Sequence, residues 1–378
     1  MKVRDRKTNT ELLANDYPGW APRFWHGMRA GVWWRLLARN HFKVSPSRFH
    51  IALGVSTFCP INDLFAMVQR GFYQQKIETC RIEKPPVFIL GHWRSGTTLL
   101  HELLVSNPGY VSPNTYQCLA PSHFLVSPFV AKYGGFLLPR KRPMDNMAAG
   151  WLLPQEDEFA LLNLGVPSPY LRIAFPKTQP EYLEYLDFSG IDEPSLNRWK
   201  ERFLWFLKAL TLYYDGKRLV LKSPPHTGRI LTLLGMFPDA KFIHLVRNPR
   251  QLFPSTMRLW RSLGYVQSLQ VEDDQQALKL YVVNCMKRMY AGFEAGRGLI
   301  PDQQIVEIKY EELVAQPLLT VKKIYDHLSL GDFSKVSSLL EPMLAGHTSY
   351  QTNKHPADPQ WEKEVMEYCR EYAERFGY

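Results

Sequence analysis

The stretch that decides the fold is residues 86–98, PVFILGHWRSGTT, in which an apolar run precedes a glycine-bracketed loop and two threonines. The apolar run predicts a buried β-strand, and residues 97–104 predict a helix that starts directly after the loop. A loop between a strand and a helix N-terminus directs several backbone N–H groups at one point, where an anion binds favourably. The stretch therefore predicts an anion-binding loop in an α/β fold.

This loop lacks the lysine of nucleoside triphosphatases. The pattern G-x-x-x-x-G-K-[ST] is matched at Gly91, Gly96 and Thr98, but Thr97 occupies the lysine position. Arg94 inside the loop provides a cation instead, and its planar guanidinium suits bidentate contact with phosphate or sulfate oxygens. A lone glycine pattern often only joins a strand to a helix, so the rest of the chain has to support a ligand site.

Two further apolar runs each end in a cation: residues 218–222 at Lys222 and residues 240–247 at Arg247. Both predict short buried strands, and the carboxyl ends of parallel strands share the edge where open α/β sheets bind ligands. Pro249 suits the first turn of a following helix, which would bring Ser255 to the same groove as Arg247. A second anion site is therefore expected at this edge.

These parts, in this order, resemble the sulfotransferase family, whose members use 3′-phosphoadenosine 5′-phosphosulfate. The resemblance covers roughly residues 85–330 and implies a P-loop-like parallel sheet flanked by helices. It implies that the 5′-phosphosulfate is held by Arg94, Ser95, Gly96, Thr97 and Thr98, and the 3′-phosphate by Arg247 and Ser255. Tyr310, after the apolar run 304–308, matches the family's tyrosine-acid-acid motif near the adenine.

The resemblance also implies the reaction. An acceptor hydroxyl would attack sulfur in line while adenosine 3′,5′-bisphosphate leaves, and Lys222 would neutralise the bridging oxygen. Cytosolic members usually carry lysine at the position of Arg94. An arginine there is more similar to bacterial and tyrosylprotein sulfotransferases. Residues 112–115, SPNT, lack the glutamate base that tyrosylprotein members place after the first helix, so peptide tyrosine is not the expected acceptor. A small-molecule, glycan or lipid hydroxyl is expected instead.

Two other functions fit parts of this pattern. A P-loop kinase would use ATP at the same loop, although Thr97 disfavours it. A regulatory module that binds the bisphosphate without transferring anything would need only the cations.

The general base is expected among a few acids and one histidine. Glu156, Asp157 and Glu158 open a predicted helix, where acids also complement the helix dipole by about 0.3–1 kcal/mol. Successive helical side chains diverge by about 100°, so the three cannot all face one site. Glu156 lies on the same stripe as Asn163, a polar position suited to a cleft, whereas Glu158 shares a face with leucines. Glu156 is the first candidate, Asp157 is a second, and His226 is a rival outside the helix.

Composition excludes a few classes of protein but does not identify the function. The chain has 378 residues and a net charge of +10, which suits a polyanionic donor, and it shows no nucleic-acid-binding motif. Its five cysteines are odd in number and lack C-x-x-C spacing, so neither a disulfide framework nor a metal site is expected. The amino terminus is polar and no apolar run reaches about 18 residues, which predicts no signal peptide, no transmembrane segment and a cytoplasmic location.

The chain is expected to have two parts. Residues 1–82 form an aromatic and basic helical extension, and residues 83–378 form the α/β domain. Within the α/β domain a largely helical insertion precedes Lys222, and its aromatics Trp199, Phe203 and Phe206 recur at helical spacing, which predicts core positions.

Overall fold

The computed structural model describes residues 15–145, 147–178, 181–271, 274–347 and 359–378. Five strands form one sheet: β1 Val87–Leu90, β2 Tyr110–Val111, β3 Arg218–Lys222, β4 Lys241–Val246 and β5 Ile305–Lys309. Their order is β2-β3-β1-β4-β5, and every neighbouring pair is parallel. The predicted strands around positions 87, 218, 241 and 305 and the predicted parallel α/β fold are confirmed.

Sixteen α-helices accompany the sheet in the described part of the chain. They are α1 Ala30–Arg39, α2 Phe49–Thr79, α3 Thr97–Val105, α4 Thr115–Leu119, α5 Pro128–Tyr133, α6 Asp157–Asn163, α7 Leu171–Ala174, α8 Glu193–Tyr213, α9 Ile230–Met236, α10 Pro249–Gln267, α11 Gln275–Arg297, α12 Tyr310–Ala315, α13 Pro317–Leu328, α14 Ser334–His347, α15 Pro359–Tyr368 and α16 Arg370–Phe376. The predicted helices after Gly96 and at Pro249 correspond to α3 and α10.

Side chains alternate across the sheet and divide the interior into two cores. In β1, Val87 and Ile89 belong to a smaller cluster with α3 and α13, whereas Phe88 and Leu90 belong to a larger cluster on the opposite face. Helices therefore cover both faces, as a fully buried parallel sheet requires.

The larger core includes both the insertion and the N-terminal extension. Trp199, Phe203 and Phe206 of α8 are completely buried there, which confirms their predicted core positions. Trp25 and Trp33 from the extension are also completely buried and belong to the same cluster. The described part of the extension is thus packed onto the sheet domain through a common core.

Helix α2 bears on the expectation that no segment spans a membrane. Residues 46–79 form a segment that is long and apolar enough, by length and composition, to cross a membrane. Only 28% of its most apolar window is buried in the fold. Polar residues such as Thr57 and Asn62 interrupt this segment, so the sequence contains no continuous apolar run of about 18 residues here.

Candidate functional site

The predicted anion-binding loop has a backbone that few residues can adopt. Gly91 (φ 142°), Arg94 (φ 69°) and Gly96 (φ 97°) all have positive φ angles. A Cβ atom at Gly91 would lie 2.5 Å from the carbonyl oxygen of Leu245, and one at Gly96 would lie 2.3 Å from Cδ2 of Tyr310. Gly96 is also the N-cap of α3 and supplies no side-chain cap, which leaves the first N–H groups of the helix for an anion.

The hydroxyl groups of the loop differ in their roles. Ser95 is buried, and its Oγ donates to the carbonyl oxygen of His92 at 2.8 Å, so this side chain braces the loop from within. Thr97 is buried as well, whereas Thr98 is partly exposed. Of these three residues, Thr98 is the one that is partly exposed, and Ser95 and Thr97 can reach a ligand through backbone N–H groups.

Arg94 is held in place by two polar partners. Its Nε donates to Ser255 Oγ at 2.9 Å, and its Nη1 pairs with Asp145 Oδ2 at 2.8 Å. Arg142 pairs with the same carboxylate at 2.7 Å. Burial works to raise the pKa of Asp145, but the two guanidinium groups lower it overall. The sequence pattern did not single out Asp145, because the contact with Arg94 exists only in the folded chain.

Arg247 joins this group from the end of β4. Its Nη1 donates to the carbonyl oxygen of Arg94 at 2.8 Å, and its guanidinium lies 4.2 Å from the centre of the Tyr310 ring. The backbone N–H of Arg247 also donates to the hydroxyl of Tyr372, from α16, at 3.0 Å. The structure therefore brings Arg94, Ser255, Arg247 and Tyr310 into one cluster, and it adds Tyr372, which the sequence did not indicate.

A second group lies at the end of β3. Lys222 Nζ pairs with Glu156 Oε1 at 2.7 Å, and the other carboxylate oxygen accepts the hydroxyl proton of Tyr170 at 2.5 Å. Trp93 Nε1 in turn donates to the Tyr170 hydroxyl at 2.8 Å. Burial, together with the charge of Glu156, raises the pKa of Tyr170 well above its ordinary value, so Tyr170 stays a hydrogen-bond donor. Glu156 is thereby oriented by Lys222 on one side and by Tyr170 on the other.

The two remaining base candidates face the interior. His226 Nε2 lies 2.7 Å from Asp157 Oδ2, and neither side chain has any exposed surface. Ser223 Oγ donates to the second oxygen of Asp157 at 3.0 Å. Burial works to raise the pKa of Asp157, but His226 and Ser223 lower it overall. Among the candidates, Glu156 is the one with exposed surface, 17% of its side chain.

The sequence favours Glu156 as the base because of a predicted polar helix face, but the structure places it outside the helix. Asn163, expected beside it on a polar stripe, is buried, and its Nδ2 donates to the carbonyl oxygen of Cys118. Glu156 has an extended backbone (φ −74°, ψ 123°) and is the N-cap of α6, not part of it. It reaches Lys222 because it precedes the helix, and Asp157 in the first turn points into the core.

Glu158 belongs to a buried ion pair. Arg229 contacts both of its carboxylate oxygens, at 2.6 and 3.0 Å, and Ser168 Oγ donates to Oε1 at 2.5 Å. The guanidinium also lies 5.1 Å from the centre of the Trp199 ring. This arrangement assigns Glu158 to stability, as its apolar helix face predicts.

Glu158→Gln is therefore expected to destabilise the fold by about 3–5 kcal/mol, because it leaves the Arg229 charge buried without a counter-charge. Urea unfolding of the purified protein measures this change. Asp326→Asn provides the matched control, since Asp326 pairs with Lys322 on the surface, where a pair contributes about 0–1 kcal/mol. Equal stability of Glu158→Gln and the control would contradict the assignment.

The chain resembles known sulfotransferases over nearly all of its length. A family model described as "Sulfotransferase family" matches residues 85–334. The chain is 39% identical over 359 residues to omega-hydroxy-beta-dihydromenaquinone-9 sulfotransferase Stf3 of Mycobacterium bovis, covering 95% of this chain and 92% of that protein. The same protein from Mycobacterium tuberculosis matches with the same values.

Solved structures agree on the fold. Sulfotransferase STF9 from Mycobacterium avium superposes with a TM-score of 0.65 over 96% of this chain and 98% of that chain, at 19% identity. Sulfotransferase STF1 from Mycobacterium tuberculosis gives a TM-score of 0.61 over 89% and 90%, also at 19% identity. The kinase and regulatory-module alternatives are not favoured by these matches. Because residues 85–334 match the family model and a named sulfotransferase is 39% identical over 95% of the chain, the chain belongs to the sulfotransferase family and is an enzyme of sulfuryl transfer.

Proposed function

We propose that the protein transfers the sulfuryl group of 3′-phosphoadenosine 5′-phosphosulfate to the hydroxyl group of a lipid acceptor. The observation that carries this proposal is the single cluster formed by Arg94, Ser255, Arg247 and Tyr310 around the loop. Two guanidinium groups and an aromatic ring at one sheet edge match the two anionic groups and the adenine of this donor.

The residues fit the donor in their chemistry. The N–H groups at the start of α3, with Arg94, would hold the 5′-phosphosulfate, and Arg247 with Ser255 would hold the 3′-phosphate. Because the Arg94 side chain already contacts Asp145, a donor anion would compete with that carboxylate for the guanidinium. Tyr310, packed against Gly96 and Arg247, would support the nucleotide from one side.

The ion pair of Lys222 and Glu156, at the end of β3, would provide the general base and the charge that stabilises the leaving group. In the transfer, the acceptor oxygen forms a bond to sulfur, and the bond from sulfur to the bridging phosphate oxygen breaks. The acceptor proton passes to Glu156. Tyr170 and Lys222 orient the carboxylate of Glu156 for this step. Lys222 stabilises the negative charge that grows on the bridging oxygen. Positioning and charge thus account for most of the protein's role.

The proposed class of acceptor rests on the similarity to Stf3. Stf3 is named for a hydroxylated menaquinone, and it matches 95% of this chain at 39% identity. A hydroxyl on an apolar isoprenoid tail also fits the absence of a glutamate in residues 112–115, which disfavours peptide tyrosine. We therefore propose a hydroxylated isoprenoid quinone or a similar lipid alcohol as the acceptor.

Arg247→Ala tests the donor site. The wild-type protein is expected to bind adenosine 3′,5′-bisphosphate at least 100-fold more tightly than AMP, because a charge-assisted bidentate contact to the 3′-phosphate contributes about 3 kcal/mol. The substitution should remove most of this preference and leave AMP affinity nearly unchanged. Isothermal titration calorimetry measures both.

The matched control is Arg250→Ala, an exposed arginine one turn further along the chain in α10. It should keep the preference of the wild type. Equal affinity of the wild-type protein for AMP and for the bisphosphate would contradict the proposed donor.

A further inference from the structure

Helix α2 presents an apolar face to solvent as well as to the core. On the core side, Ile51, Val55 and Cys59 are buried. The opposite side carries large exposed apolar residues at helical spacing: Phe49, Leu53, Ile61, Leu64, Met67 and Val68. A helix that is apolar all round is normally surrounded by protein or by lipid, yet nothing in the described chain covers this second face.

The exposed face extends beyond α2. Phe65 of α2 lies 6.2 Å, ring centre to ring centre, from Phe129 of α5, and Phe129 is itself exposed. Tyr133, one turn later, and Phe136 are also exposed, the latter to 75%. We call the six α2 residues together with Phe129, Tyr133 and Phe136 the exposed apolar surface. Its length along α2 alone is about 30 Å, from the helical rise of 1.5 Å per residue.

Basic chain segments flank this surface, whereas the stretch of α2 that carries it, residues 49–68, contains no Lys or Arg and one acid, Asp63, which pairs with Arg29. Residues 17–48, which precede α2, contain six Lys or Arg residues and no Asp or Glu, and residues 128–142, which include Phe129, Tyr133 and Phe136, contain four and again no Asp or Glu. Lys132, Arg140 and Lys141 are exposed close in sequence to the α5 aromatics. An apolar surface of aromatic and aliphatic side chains with cations beside it is typical of proteins that bind at the surface of anionic membranes.

The fold excludes a spanning role for α2. Asn62 Nδ2 donates to the carbonyl oxygens of His26 and Met28, and Gln69 Oε1 accepts the N–H of Leu125. These buried contacts fix the inner side of the helix to the rest of the protein. Only the outer side is free to meet lipid, so α2 would lie along a membrane and not across it.

We propose that the exposed apolar surface docks the protein onto a bilayer that carries anionic lipids, with α2 parallel to the membrane plane. Charge distinguishes this partner from a second copy of the chain. A two-fold dimer through this surface would bring the flanking basic segments of both copies close together, which like charges oppose. An anionic lipid surface instead complements them. The proposal does not depend on the acceptor, although it would bring the enzyme to lipids.

Vesicle flotation of the full-length protein, without donor or acceptor, tests the proposal. We expect binding to phosphatidylcholine vesicles that contain phosphatidylglycerol, and at least tenfold weaker partitioning for the double variant Leu53→Glu and Leu64→Glu. Both positions are exposed, so the substitutions should leave the melting temperature and bisphosphate affinity unchanged. The matched control is Leu299→Glu with Leu319→Glu, two leucines exposed to 65% and 62% elsewhere, which should partition like the wild type.

A charge variant separates the electrostatic contribution. Lys132→Ala, Arg140→Ala and Lys141→Ala together should weaken binding several-fold to anionic vesicles and leave the weak binding to pure phosphatidylcholine unchanged. Three results would overturn the proposal: no binding of the wild type to anionic vesicles, equal loss in the Leu299 and Leu319 control, or unchanged vesicle binding of the α2 variant with loss of a dimer seen by light scattering. The last result would assign the surface to a second copy. Failure of sulfuryl transfer, by contrast, would leave vesicle binding intact.

Discussion

Glu156→Gln is expected to lower kcat by about 10²–10⁴-fold and to leave the affinity for adenosine 3′,5′-bisphosphate unchanged. Glutamine has the same shape and can still accept the hydrogen bond from Tyr170, but it cannot take up the proton of an acceptor hydroxyl. The structure supports this assignment because Glu156 is partly exposed and both of its oxygens are oriented, one by Lys222 and one by Tyr170. Radiolabelled sulfuryl transfer gives kcat, and calorimetry gives the affinity.

His226 provides the decisive comparison. Its ring has no exposed surface and contacts Asp157 at 2.7 Å. His226→Ala should therefore lower the free energy of unfolding more than it lowers turnover. Asp157→Asn should behave in the same way, because this carboxylate also faces inward. If Glu156→Gln keeps near-normal turnover while a folded His226→Ala loses it, the base is His226 and the interior pair has a catalytic role.

The anion loop and the strands could be predicted because their signals are local. Residues 86–98 carry an apolar run, two glycines and a helix start within one continuous stretch, and the β3 and β4 runs end in cations at the same edge. Parallel pairing of Ile89 with Lys222 and of Leu90 with His244 then brings these ends together. In such a sheet, local patterns are enough to place the cations.

The partners of the predicted cations could not be found in the same way. Asp145 lies 51 positions from Arg94, and Tyr372 lies 125 positions from Arg247, so only the folded chain brings them into contact. Tyr372 does lie at a helical spacing with buried Cys369 and Phe376, but that spacing indicates only a core position and does not indicate contact with Arg247. A polar contact between distant segments leaves no signature in one sequence.

The direction of the Glu156 side chain could not be predicted for a different reason. The sequence predicts a helix that includes Glu156, and the turn per residue then places it on a polar stripe with Asn163. Because the helix begins at Asp157, the turn of about 100° per residue does not define the direction of the Glu156 side chain, and the argument from faces fails for this residue alone. Glu156 remains the proposed base, and the proposal now depends on its extended N-cap geometry and its contact with Lys222.

Lys222→Ala is expected to lower kcat by about 10²–10³-fold while it changes bisphosphate affinity by less than about threefold. The charge that Lys222 meets develops mainly in the transition state, so its loss should affect turnover more than ground-state binding. Lys222 lies at the carboxyl end of β3, next to β1 and its anion loop, and its side chain is only 5% exposed. Single-turnover kinetics at saturating donor isolates the chemical step.

The substitution also removes the counter-charge of Glu156, and this second effect has to be separated from the first. Lys222→Arg keeps a positive charge near Glu156 but moves its donors, so it should retain the melting temperature and recover only part of the lost turnover. A double-mutant cycle with Glu156→Gln measures how far the two residues act as a unit. If Lys222 acts only by holding Glu156, then adding Lys222→Ala to Glu156→Gln should cost no further turnover. A further loss of about tenfold or more would show that the lysine stabilises the leaving oxygen directly.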